Sequence, residues 1–176
     1  DKKVRLLDLS RRSLSFVSAL FIGTLLRGNS YITELILHSN ELTPVGATFI
    51  VKQLMPTLKT LDIANIVEVE DRGKTDKKGE KGRAQASAYS RTEVVPEQLE
   101  ELWAAVSNLG SLEKLTMDRD HLRELKDLGK LLSLKTLSLA KNKLTAVPAD
   151  VCLILGLKIL TLQGNMLKEV PASIGE

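Results

Sequence analysis

Leu134-Lys135-Thr136-Leu137-Ser138-Leu139-Ala140-Lys141-Asn142-Lys143-Leu144 is the stretch whose side-chain spacing decides how the chain folds. Leu137 and Leu139 are two residues apart, so on a short strand both face one side, toward a core, while Thr136, Ser138 and Ala140 face the other. Asn142 stands where such a strand has to turn. A buried amide there both donates and accepts hydrogen bonds, so it can satisfy main-chain groups of adjacent segments.

The pattern, L-x-x-L-x-L-x-x-N-x-L, recurs. Val4 to Leu14 carries it through Leu7, Leu9 and Leu14, with Arg12 in the asparagine place, and Ile32 to Leu42 carries it through Leu35, Leu37 and Asn40. Leu112 to Leu122 has Leu115, Met117 and Asp120, and Leu157 to Leu167 has Leu160, Leu162 and Asn165. A weaker copy opens at Leu58 with Leu61 and Ile63; there Asn65 comes one place early, Ile66 takes the asparagine place and Glu68 the last leucine place. That mismatch predicts an interrupted coil.

The spacing between copies predicts what connects them. Val4 to Ile32 is 28 positions, which leaves room for a helix, and Phe16, Leu20 and Leu26 lie on an apolar helical segment that stops near Arg27-Gly28. After the second copy, Thr43 is placed to cap a helix and Pro44 to start it. Leu112, Leu134 and Leu157 are only 22 and 23 positions apart. Such short connections, marked by Val147-Pro148 and Val170-Pro171, predict extended chain or a single helical turn.

Leu58 and Leu112 are 54 positions apart. Glu70 to Arg91 within that gap is charged, glycine-rich and nearly devoid of large apolar residues, a composition that buries too little surface to offset the entropy of ordering. The expectation is one coil with an irregular charged insertion at about residues 69–94, and a helix beyond it from Pro96 with Leu99, Leu102, Trp103 and Val106 on its packing face.

Six copies at this period resemble the leucine-rich-repeat superfamily. The early part, with Asn40-Glu41-Leu42-Thr43 and Gly46-Ala47, resembles ribonuclease-inhibitor-type repeats. The later part, with Val147-Pro148 and Val170-Pro171, resembles the shorter repeats of intracellular members. The resemblance implies an α/β solenoid of about six repeats over residues 1–176, with a parallel sheet on its concave face and helices or short turns on its convex face. It also implies that the concave face binds another protein.

Composition narrows the remaining classes. Hydrophobic residues make up 43% and aromatic residues only 3%, so leucine, valine and isoleucine do the packing. A net charge of +3 with acids interspersed gives no basic stripe for nucleic acid. One cysteine, no N-x-S/T site, no apolar run near the roughly 20 residues of a membrane span and no signal peptide at Asp1-Lys2-Lys3-Val4 together predict an intracellular, cytoplasmic chain. Gly73-Lys74-Thr75 resembles the end of a phosphate-binding loop, but Glu68 stands where the first glycine is required. His38 and His121 have no metal-ligand spacing, Cys152 has no local basic partner, and Trp103 reads as packing. No cofactor is expected.

The expected partner is therefore a protein, met on the concave positions Glu34, His38, Asp62, Lys114, Asp118 and Arg119. The alternative is a regulator of an enzyme, such as a GTPase-activating or phosphatase-regulating repeat protein, for which Arg12 and Arg119 are the cations nearest the rim; a structural part of a large assembly is a third. The chain reads as part of a longer solenoid, since it opens directly into a strand and ends after a convex segment has begun.

Overall fold

The structure, a computed structural model, describes residues 4–66, 96–172 and 174. Six strands of three residues each, β1 (Leu6–Asp8), β2 (Glu34–Ile36), β3 (Thr60–Asp62), β4 (Lys114–Thr116), β5 (Thr136–Ser138) and β6 (Ile159–Thr161), each occupy the middle of one sequence copy. They pair in parallel and in chain order, with Leu7, Leu35, Leu61, Leu115, Leu137 and Leu160 in register. Parallel neighbours need a crossover on the far side of the core. Here α1 (Phe16–Leu26), α2 (Thr43–Gln53) and α3 (Pro96–Ser107) supply the first three, and 3-10 turns at Leu128–Lys130 and Ala149–Leu153 supply the next two. Repeat length thus predicts the convex element: long coils carry helices and short coils carry a turn.

The two-residue period fills the core. Leu35 and Leu37, Leu61 and Ile63, Leu115 and Met117, and Leu137 and Leu139 are wholly buried, and Ile50, Leu102 and Val106 of the helices close over them. Thr43 acts as expected, its Oγ1 accepting the Gly46 N–H at 3.3 Å. Gly23 and Gly46 let α1 and α2 approach: a Cβ on Gly23 would lie 2.6 Å from the Phe49 ring, and one on Gly46 would lie 2.9 Å from the Ala19 Cβ. Trp103 is buried in α3, and its indole N–H donates to the Lys126 carbonyl, tying the helix to the fourth coil. Cys152 packs half-buried against the core from the second 3-10 turn.

Each coil leaves its strand through one left-handed residue: Arg11, Ser39, Asn65, Arg119, Lys141 and Gly164, with φ between 53° and 74°. The next residue is the ladder position. Asn142 accepts the Asp120 and Leu122 N–H groups at 3.0 and 3.1 Å and donates to the Met117 and Leu139 carbonyls at 2.8 and 3.0 Å. Asn40 serves Arg12, Leu14, Leu9 and Leu37 in the same way, and Asn165 serves Leu144, Leu139 and Leu162. A ladder side chain reaches back to the preceding coil. Arg12, at the ladder position of the first described coil, is exposed.

The weak third copy still forms its strand, and the described residues from Leu58 to Leu112 make one coil, as expected. β3 pairs in register with both β2 and β4, no strand lies between β3 and β4 among the described residues, and α3 packs beside α2 as the back of the same coil. Ile66 keeps the place by filling it with an apolar side chain, 1% exposed, in place of an amide. The expected insertion at about 69–94, with Gly73-Lys74-Thr75, lies outside the described residues.

Candidate functional site

The outward positions of the strands and the two residues after each form the concave surface. Asp62, the last residue of β3, is half-buried, and its Oδ1 accepts the Ala64 N–H at 3.1 Å. Burial pushes its carboxyl above the usual 3.8; the Ala64 hydrogen bond, His38 and Lys114 act against this, and Asp118 adds to it. Four of the six expected residues, His38, Asp62, Lys114 and Asp118, are thus close enough to act on one another, with Asp62 at the centre.

Asp118 follows β4. Its Oδ1 accepts the Ala140 N–H at 2.7 Å and the Ser138 hydroxyl at 2.8 Å, so it also clasps the fifth coil. His38 follows β2, half-buried, with Nδ1 3.2 Å from the Ser39 hydroxyl. Glu34 is exposed on β2, in the cross-strand row that runs through Thr60 to Lys114. Arg119 is exposed on the left-handed turn beyond β4 and therefore sits at the rim of the sheet; Arg12 is exposed three coils away on the first.

Two charged features lie outside the expected set. Asp8, at the end of β1, accepts the Ser10 N–H at 2.9 Å and its hydroxyl at 2.7 Å, and these bonds hold its carboxyl below the usual value. Along the opposite rim, Glu113 bridges Lys59 at 2.9 Å and Lys135 at 2.6 Å, and the two lysines hold its carboxyl down to about 2. The signal for this row was present, since Lys59, Glu113 and Lys135 occupy the same place of three successive copies with alternating sign.

No group of three or more His, Cys, Asp or Glu among the described residues is arranged to hold a metal ion. His121 is half-buried on the turn after Arg119, its pKa lowered by burial first and then by Lys143 and Arg123. On the convex side a recess of about 430 Å³ lies between α2 and α3, and the Lys52–Glu101 ion pair joins the two helices at its wall. The concave surface carries His38, Asp62, Lys114 and Asp118 on successive coils of the sheet.

No protein-family model and no curated protein matches the chain. Among solved structures it is similar to a leucine-rich-repeat protein of Leptospira interrogans, with 23% identity and a TM-score of 0.64 over 97% of this chain and 34% of that one. The chain spans about a third of that protein's length. The likeness, together with the six-stranded parallel sheet, establishes an α/β leucine-rich-repeat solenoid; it carries no distinction between the two repeat types that the sequence resembles. No helix among the described residues is long and apolar enough to cross a membrane.

Proposed function

We propose that this solenoid is a protein-binding module whose concave face takes a basic segment of its partner, with a lysine or arginine seated between Asp62 and Asp118 and with His38, Lys114 and Glu34 around it. Arg119 at the rim meets the partner's edge. One observation carries the reading. Asp62 and Asp118 lie on adjacent coils of one sheet, Asp118 adds to the cost of ionising the half-buried Asp62, and neither acid has an ion-pair partner among the described residues. A cation from a partner relieves both the burial and the mutual repulsion. The sheet holds the two acids in place beforehand, so docking orders little of this chain.

The test is capture from native extract by the wild-type chain and by the Asp62→Lys, Asp118→Lys double variant. A specific protein should be retained by the first, released as salt is raised, and lost by the second while its circular-dichroism spectrum stays unchanged. Retention by the double variant at wild-type strength places the site elsewhere.

A further inference from the structure

The ladder position of the fourth coil holds a carboxyl where its neighbours hold amides. Asp120 is 0% exposed, and its Oδ1 accepts the Ile66 N–H at 3.0 Å, the same bond that Asn40 makes to Arg12 and Asn142 makes to Asp120. Its Oδ2 therefore occupies the place of the amide nitrogen. In the asparagine coils that nitrogen donates to two carbonyls, one three residues back on its own coil and one at the matching place of the preceding coil. For Asp120 the matching carbonyls are those of Met117 and Ile63. Oδ2 is fully buried and has no hydrogen-bond partner among the described residues when it is treated as an acceptor.

A carboxylate oxygen facing carbonyl oxygens is repelled; a carboxylic acid O–H in the same place is a donor. Asn142 already serves the Met117 carbonyl. Ile66 offers no amide to the Ile63 carbonyl, which leaves that group as the natural acceptor for a proton on Oδ2. We propose that Asp120 works in the ladder as a neutral carboxylic acid, its Oδ2–H donating across to the Ile63 carbonyl, so that the seam between the third and fourth coils is closed by a titratable proton and weakens when that proton is lost.

The surrounding charges agree with this. Burial is the largest influence and holds the Asp120 carboxyl well above its ordinary 3.8; Asp118 of its own turn and Asp62 of β3 push the same way, against the Ile66 N–H and a weaker contribution from the Asn65 main chain. On the facing turns Arg119, Arg123 and Lys141 are exposed, and His121 and Lys143 are half-buried. Asp62 and Asp118 lie one on each side of this seam, so the proton also governs how firmly the third and fourth coils hold those two acids in register.

The sign follows from proton linkage. Below pH 3.8 both folded and unfolded chains carry the proton. Above it the unfolded chain releases the proton and the folded chain keeps it, so stability falls as pH rises until the folded group itself ionises. Over that interval each pH unit raises the unfolding constant by about tenfold from this group alone.

The experiment is urea unfolding of the whole chain as a function of pH for wild type, Asp120→Asn and Asn142→Asp, with carbon NMR of the Asp120 carboxyl. Asp120→Asn supplies an amide to both carbonyls. It should be the more stable protein at neutral pH, and its advantage over wild type should grow by about tenfold in unfolding constant per pH unit above 4. Asn142→Asp should introduce the same dependence at the next seam. An Asp120→Asn chain that keeps the wild-type pH slope, or an Asp120 carboxyl that titrates in the ordinary carboxylate range, overturns the assignment.

Discussion

Asn142 shows how one side chain joins two coils. Its amide is 4% exposed and engages three main-chain groups of the preceding coil and the Leu139 carbonyl of its own. Replacing it with alanine takes this partner from the Asp120 and Leu122 N–H groups and the Met117 carbonyl, while Leu139 keeps Asn165, and each group left unpaired costs on the order of 1 kcal/mol or more. Asn142→Ala should therefore lose roughly 2–4 kcal/mol, whereas exposed Lys141→Ala, one residue earlier, should stay near wild type; paired melting curves decide it. The side chain's double role was legible in the sequence because only an amide offers donors and an acceptor at one turn position. What Ile66 does was not legible, because matching a template by residue type looks for the amide. A buried isoleucine preserves the coil by occupying the space and leaves the polar pairing to Asp120 on the next coil.

At the level of elements, the strands were legible from the two-residue period of inward leucines, and the nature of each convex element from the number of residues available to it. The concave cluster was legible in part. The strand template assigns a face to Asp62, Lys114 and Asp118, yet Asp118 also grips Ser138 and Ala140 on the next coil, a contact that local spacing does not reveal. The Lys59–Glu113–Lys135 row was overlooked for a similar reason, since 54 residues separate its first two members. The packing of α1 on α2 gives a prediction of its own. Alanine at Gly46 raises helix propensity by at most about 1 kcal/mol, but its Cβ meets the Ala19 Cβ at 2.9 Å, where neither group can rotate away. Overpacking of this kind costs about 1–3 kcal/mol. Gly46→Ala should be destabilised by about 1 kcal/mol net in chemical denaturation, and a stability above wild type would show that the two helices separate freely.

Across the described residues as a whole, β1 and β6 stand at the edges of the sheet, and each is flanked by apolar side chains. On α1, Val17, Phe21 and Leu25 are 57%, 69% and 80% exposed, and near β6 Ile159 and Met166 are 55% and 62% exposed. Unpaired strand edges beside such surface favour association between chains. This 176-residue chain should sediment as larger species as its concentration rises, and Phe21→Lys with Leu25→Lys should reduce that tendency. A single monomeric boundary at every concentration would show that these end faces do not adhere.

The change from helices to 3-10 turns along the back has a consequence for bending. Neighbouring strands sit about 4.8 Å apart, whereas packed helices need about 8–10 Å between axes. Coils with helical backs must fan out like the stones of an arch, and coils with slimmer backs can stand almost parallel. The mismatch between front and back is therefore greatest over the first three coils and smaller from the fourth, and Asp62 and Asp118 lie on the two coils where it changes. A stiff rod such as a long helix can lie flush only along the straighter half, while an extended, flexible chain can follow the curl. A ligand that reaches both halves must therefore be pliant at least where it lies against the first three coils.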